Sequence, residues 1–147
     1  MTAQQINEAV GGILLGDKNV KALGISTDTR KIEKGNLFIA LSGQNFDGNL
    51  FVDKAFQSGA EICIASMDNA CPEGKALILV HDTNRALMEL ASHFRDLFNI
   101  KLVGITGSVG KTTTKEMTAC VLSQKYKTYK TQGNFNNNIG LPLTLLS

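Results

Sequence analysis

Apolar residues fall into short runs along this chain, broken by polar and glycine-rich stretches. Ile6, Ala9 and Val10 recur at helical spacing behind Thr2 and Gln5, the two ends of a capping box, and Gly11 and Gly12 close that first helix. Compact apolar runs predict strands over 22–25, 37–41, 62–65 and 76–80. Between them lie a turn at 34–36, a glycine-punctuated loop over 42–49 and a loop over 67–75. A helix over 50–58 puts Phe51, Ala55 and Phe56 on one side and ends at Gly59. Asp82 or Thr83 can cap a longer helix whose Ala86, Leu87, Leu90, Ala91, Phe94, Leu97 and Phe98 keep one apolar face. Residues 101–105 read as a buried strand and 126–131 as another. Residues 111–124 read as a helix with Met117, Val121 and Leu122 turned inward. The tail, 132–147, is an Asn-rich loop followed by an apolar run best read as core.

Strands alternating with helices give an α/β fold in two units. Residues 1–81 form a small α/β domain. Residues 82–147 open a doubly wound α/β domain and do not finish it, because two strands and a helix cannot cover both faces of a parallel sheet.

Composition narrows the partners. The net charge of +2 over 147 residues makes no case for nucleic acid or an anionic membrane. Lys125, Lys127 and Lys130 read as a solvated helix end and strand. The first dozen residues lack the basic start and apolar stretch of a secretory signal, and no run nears the roughly 18 residues of a membrane helix. Cys63, Cys71 and Cys120 are odd in number and widely spaced, and His81 and His93 have no ligand-spaced partners, so neither disulfides nor zinc are expected. A reduced, cytoplasmic compartment is the consequence.

The densest chemistry is KLVGITGSVGKTTT, residues 101–114. Gly107, Ser108, Val109 and Gly110 form a turn between strand and helix. Its backbone N–H groups can converge on an anion, Lys111 adds charge, and the helix that follows points its positive end the same way. Thr112 offers a hydroxyl to a magnesium ion and Thr113 a further donor. The usual pattern asks for glycine five residues before Gly110, where Ile105 stands. A purely structural turn is the competing reading; Gly-Lys-Thr-Thr straight after an apolar strand favours phosphate. Three other polar clusters have two readings each. Ser26, Thr27, Asp28, Thr29 and Arg30 could meet a nucleoside and its phosphate, or Asp28 and Arg30 could simply pair. Gly43, Gln44, Asp47 and Gly48 could approach a diphosphate, or Asp47-Gly48 could be a turn before a helix. Asn134, Asn136, Asn137 and Asn138 could bind a sugar nucleotide, or supply left-handed turns. A phosphate-loop enzyme also needs a later metal-holding carboxylate, and none follows Thr131 on a strand.

With these residues in view the chain resembles the Mur ligases, ATP-dependent enzymes that build the peptide of the bacterial cell wall. The carriers, in order, are STDTR at 26–30, LFIALSGQNFDGNLF at 37–51, Gly59-Ala60 and TGSVGKTTTKEM at 106–117, and together they span nearly the whole chain. The segment TQGNFNNNIGLPLTLL at 131–146 is similar to the branch that joins D-alanyl-D-alanine to UDP-N-acetylmuramoyl-tripeptide. Two positions depart from the family pattern: Thr29 stands where serine is common, and Asn49 where histidine often follows Asp-Gly.

The resemblance implies a two-step reaction. ATP phosphorylates the substrate carboxylate, and the dipeptide amine then displaces phosphate. Residues 107–113 would cradle ATP, with Lys111 and Thr112 catalytic and Thr112 on Mg²⁺. Ser26, Thr27, Asp28, Thr29, Arg30, Gly43, Gln44, Asp47, Gly48, Asn134, Asn136 and Asn137 would hold the UDP-sugar peptide. Family members have three domains, so a monomeric first domain plus the opening of the second is expected here, inactive by itself. A sister ligase with another amino-acid acceptor and a non-catalytic nucleotide-binding module are the alternatives.

Overall fold

Three neighbouring parallel strands, almost wholly apolar, form the centre of the molecule. A computed structural model describes residues 1–43, 46–131 and 138–146. Its central sheet has five strands in the order β1-β7-β6-β3-β2. They are β1 (Ile13–Gly16), β2 (Gly24–Ser26), β3 (Asn36–Ile39), β6 (Ala60–Ala65) and β7 (Ala76–Leu79). β2, β3, β6 and β7 run parallel, and β1 joins the β7 edge antiparallel. A small hairpin, β4 (Ser42–Gly43) with β5 (Phe46–Asp47), rises from the end of β3.

Period-two alternation sorts the sheet into two cores. Leu37, Ile39, Ile62, Ile64, Ala76 and Ile78 face α1 (Ala3–Val10) and α3 (Thr83–Asp96). Phe38, Ala40, Cys63, Ala65 and Leu77 face α2 (Val52–Gln57) on the other side. A strand buried on both faces needs this unbroken apolar character, which is why these runs were legible as strands.

The helix ends follow the sequence closely. Thr2 and Gln5 form a complete capping box on α1, and Gly11 ends it in the left-handed region at φ 63°. Asp82 caps α3 by accepting from the N–H groups of Asn84 (2.8 Å) and Arg85 (3.2 Å). Ala86, Leu87, Leu90 and Ala91 bury α3 against the same core as α1. Thus α3, expected to open the second unit, shares the core of residues 1–81. The apolar tail is helical, α5 (Gly140–Leu145), with Ile139, Leu143 and Leu146 against that core.

Several local expectations are corrected. The apolar stretch 13–16 is a strand that the pattern did not announce: it is an edge strand, and Ile13 stays 67% exposed. The strand expected at 22–25 sits at 24–26, the loop expected at 42–49 contains the hairpin, and the helix expected at 50–58 begins as a 3-10 turn over Gly48–Phe51. Residues 101–105 and 126–131 form no ladder, and α4 (Lys111–Ser123) buries none of its residues. Met117 and Val121, expected inward, are 66% and 71% exposed, and Leu122 is half-buried. The cause is a shortage of neighbours. A parallel strand exists only by pairing, and the described residues offer 101–105 and 126–131 no partner strand.

Candidate functional site

Four loops leave the carboxyl ends of the four parallel strands, and two of the predicted polar clusters lie on them. Ser26–Arg30 follows β2, Ser42–Asn49 follows β3, Ser66 follows β6, and Asp82–Asn84 follows β7. In open α/β sheets this is the edge where ligands bind.

The cluster after β2 closes on itself. Ser26 is buried; its hydroxyl donates to the Asp28 carbonyl (2.9 Å) and accepts from the Asp28 N–H (3.2 Å). The Asp28 carboxylate accepts from the Arg30 backbone N–H (3.0 Å), from Nε (2.9 Å) and from Nη2 (2.7 Å). These bonds hold its carboxyl down at about 2, with Arg30 the cause, and raise the Arg30 guanidinium in return. The ion pair considered as the plain reading is therefore formed. Arg30 keeps 82% of its side chain in solvent, so the pair orients the guanidinium at the surface. Thr27 and Thr29 lie half-buried beside it.

On the loop after β3, Gly48 has a packing reason for being glycine. A Cβ there would sit 2.6 Å from the Leu41 carbonyl oxygen and 2.8 Å from its nitrogen. Its N–H donates to that same carbonyl (2.9 Å), so it is already committed and does not face outward toward a diphosphate. Gly43 is exposed, with open space where a side chain would be. Asp47 caps the 3-10 turn, and the Asn49 N–H (3.0 Å), Asn49 Nδ2 (2.7 Å) and Ser42 hydroxyl (3.0 Å) all donate to its Oδ1. Those donors pull its carboxyl below the usual range, the Asn49 backbone bond most. Asn49, Ser66 and Asn84 belong to this network and were not singled out from the sequence as site residues. Asn49 stood out only as a departure from the family pattern after Asp-Gly, and Ser66 and Asn84 only as polar residues next to apolar runs.

At the Gly107–Gly110 turn the predicted helix start is present, and the strand expected before it at 101–105 is not. Gly110 lies in the left-handed region, φ 78°, immediately before α4, and has no side chain to cap the helix. The first N–H groups of any helix lack intrahelical acceptors. Here those of Lys111, Thr112 and Thr113 open onto an exposed loop. A Cβ added at Gly110 would meet nothing within 4 Å, so there is room for an anion. The Lys111 ammonium folds back to donate to the Gly107 carbonyl, which keeps its charge over the loop. Ser108 and Val109 are exposed beside it.

Among the described residues no group of three His, Cys, Asp or Glu could hold a metal ion. The Thr112 hydroxyl, the predicted magnesium ligand, is exposed at the start of α4.

The lysines near the end of α4 do not make a patch. Lys130 pairs with Glu116, and the Lys125 ammonium sits 5.8 Å from the Tyr126 ring centroid. Lys130 is the main reason the Glu116 carboxyl is lowered. No helix among the described residues is long and apolar enough to cross a membrane. Gln44, Asn134, Asn136 and Asn137 lie outside the described residues.

A parallel-dominated sheet with polar loops at its carboxyl edge, followed by a glycine turn and lysine at a helix start, has the build of nucleotide-binding α/β proteins. Residues 21–95 match the Mur ligase family, catalytic domain, and residues 105–147 match the Mur ligase middle domain. The chain belongs to the Mur ligase family. It is 45% identical to the UDP-N-acetylmuramoyl-tripeptide--D-alanyl-D-alanine ligase of Bacillus subtilis, over 99% of this chain and 33% of that protein. The structure of the UDP-N-acetylmuramoylalanyl-D-glutamyl-2,6-diaminopimelate--D-alanyl-D-alanyl ligase from Acinetobacter baumannii superimposes with a TM-score of 0.89 at 37% identity, covering 99% of this chain and 33% of that one. The MurF ligase from Thermotoga maritima, in complex with ADP, gives a TM-score of 0.77 at 34% identity, covering 87% of this chain and 29% of that one. The chain thus spans about a third of the length of the relatives it matches.

Proposed function

We propose that this chain is the N-terminal part of a MurF-type ligase. The complete enzyme adds D-alanyl-D-alanine to UDP-N-acetylmuramoyl-tripeptide at the expense of ATP, in cytoplasmic peptidoglycan synthesis, and so serves cell shape and division. The observation that carries the reading is the Lys111 ammonium held over the open Gly107–Gly110 turn at the start of α4. The identity to the Bacillus subtilis ligase supports the acceptor, D-alanyl-D-alanine, over that of a sister ligase. It argues equally against a non-catalytic module.

In this reading residues 1–81 hold the UDP end of the substrate and 82–147 open the ATP-binding unit, with α3 the joint between them. A carboxylate oxygen of the tripeptide attacks the γ-phosphorus of ATP, and ADP departs. The dipeptide amine then attacks the acyl carbon of the resulting acyl phosphate, the C–O bond to phosphate breaks, and the amine loses a proton. Phosphoryl transfer needs position and neutralised charge more than covalent help from the protein. The N–H groups at the start of α4 and of Gly107–Gly110 fix the phosphates. Lys111 exchanges the Gly107 carbonyl for the γ-phosphoryl oxygens and offsets the charge that grows there. A magnesium ion, when bound, would further neutralise the phosphate oxygens, with Thr112 as its protein ligand here. Ser26, Thr27, Asp28, Thr29, Arg30, Gly43 and Asp47 take the sugar nucleotide, and the sequence assigns Gln44, Asn134, Asn136 and Asn137 to the same ligand. The working form is a monomer, and residues 1–147 alone perform no ligation.

A ligation assay on the complete protein tests this. ADP and phosphate should appear only when tripeptide substrate and D-alanyl-D-alanine are both present, in step with amide formation. Turnover with a free amino acid in place of the dipeptide would move the assignment to a sister ligase. ATP binding without ligation would move it to a binding module.

A further inference from the structure

Asn49 is buried, and its carboxamide joins elements far apart in sequence. Its Nδ2 lies 2.7 Å from Asp47 Oδ1 and 3.1 Å from the hydroxyls of both Ser42 and Ser66. An amide nitrogen has two protons, so Asp47 takes one and the two hydroxyls share the other. Its Oδ1 accepts from the Ser66 backbone N–H at 2.8 Å. The Ser42 carbonyl in turn accepts from Asn84 Nδ2 on α3 at 3.0 Å. Ser42, Ser66 and Asn84 follow three adjacent parallel strands, β3, β6 and β7, at the carboxyl edge of the sheet. Ligands of open α/β sheets bind at that edge, so a network that orders these strand ends also orders a ligand surface. Asp47 is an acceptor only, and its lowered carboxyl keeps it so.

We infer that Asn49 is a positioning residue for sugar-nucleotide binding. Its carboxamide clamps the β4–β5 hairpin, through Ser42 and Asp47, to the end of β6 at Ser66, and so presets the surface that receives the substrate. The inference rests on the reading that this edge takes the UDP-sugar peptide. It adds a residue that touches no substrate atom and acts through Ser42 and Asp47.

The test uses the complete ligase with Asn49→Ala, Ser66→Ala and Asn49→His. In Asn49→Ala the KM for UDP-sugar tripeptide should rise roughly ten-fold, the size of losing a hydrogen bond to a charged group. The kcat and the KM for ATP should stay within about two-fold. Amide exchange at Ser66 and Asn49 should quicken while that at the centre of β6 does not. Asn49→His keeps one donor and one acceptor and should recover part of the KM. Ser66→Ala removes one exposed hydroxyl, so it folds even if Asn49→Ala does not, and should raise the same KM by a smaller factor. Unchanged exchange at Ser66, or faster exchange with an unchanged KM for the sugar nucleotide, overturns the inference. A wild-type enzyme that does not saturate with UDP-sugar tripeptide overturns the functional reading beneath it, while the exchange measurement still decides the clamp.

Discussion

Two regions of this chain, residues 36–79 and residues 101–131, use the same apolar residue types and reach opposite outcomes. In the first, Leu37, Ile39, Ile62, Ile64 and Ile78 lie between helices on both faces of a paired sheet and are buried. In the second, Leu102, Val103, Met117 and Val121 stand in solvent beside a phosphate loop of equal sequence quality. Burial is a property of neighbours and not of residue type. A parallel strand flanked on each side needs two partners and two covering layers; here α2 covers one face, and α1 and α3, with Ile139, Leu143 and Leu146, cover the other. The loop at Gly107–Gly110 needs much less. Its geometry comes from one left-handed glycine and one helix start, both local in sequence, so it is formed where the surrounding strands are not.

That contrast can be broken at either end. The largest expected effect is in the second region. Lys111→Ala in the complete enzyme should lower kcat by roughly a hundred- to a thousand-fold, as removal of one preorganised charge-stabilising donor does elsewhere. Affinity for the UDP-sugar peptide, measured by calorimetry, should stay near wild type, because the surface proposed for it lies within residues 1–81. Near-normal turnover would remove Lys111 from the chemistry.

Next comes a matched pair of truncations in this chain. Ile64→Ala should cost about 2–5 kcal/mol in urea unfolding, since the side chain is fully enclosed and leaves a cavity. Met117→Ala, at an exposed site, should change stability by less than about 0.5 kcal/mol. A comparable loss from both would show that α4 is packed after all.

The smallest effect concerns acid. Asp28 has its carboxyl lowered from 3.8 to about 2 by Arg30. A carboxyl with a depressed folded-state pKa favours folding fully above its unfolded value and loses that contribution as pH falls through the folded one. Asp28→Asn should therefore flatten the pH dependence of Tm between about pH 4 and about pH 2, by a small amount because the pair is solvated. Identical acid profiles for variant and wild type would show that the pair adds nothing to stability.

Much of this was open to reading from residues alone, for reasons of range. Capping boxes, glycine stops and the Gly-Lys-Thr-Thr turn act over three or four neighbours, so Thr2, Gly11, Asp82 and Gly110 could be placed without coordinates. The central strands β3, β6 and β7 announced themselves because burial on two faces demands a nearly continuous apolar run. Contacts distant in sequence could not be read that way. Ile13–Gly16 becomes a strand because β7 offers it an edge, and Gly48 must be glycine because the chain passes close to Leu41. Asn49 meets Ser66 across 17 positions because two strand ends lie side by side. The sequence by itself determined the glycine turn and helix start at Gly110 and the family the chain belongs to. Only the tertiary structure decided which polar groups share an edge and which apolar groups find cover, because both depend on what the fold brings together.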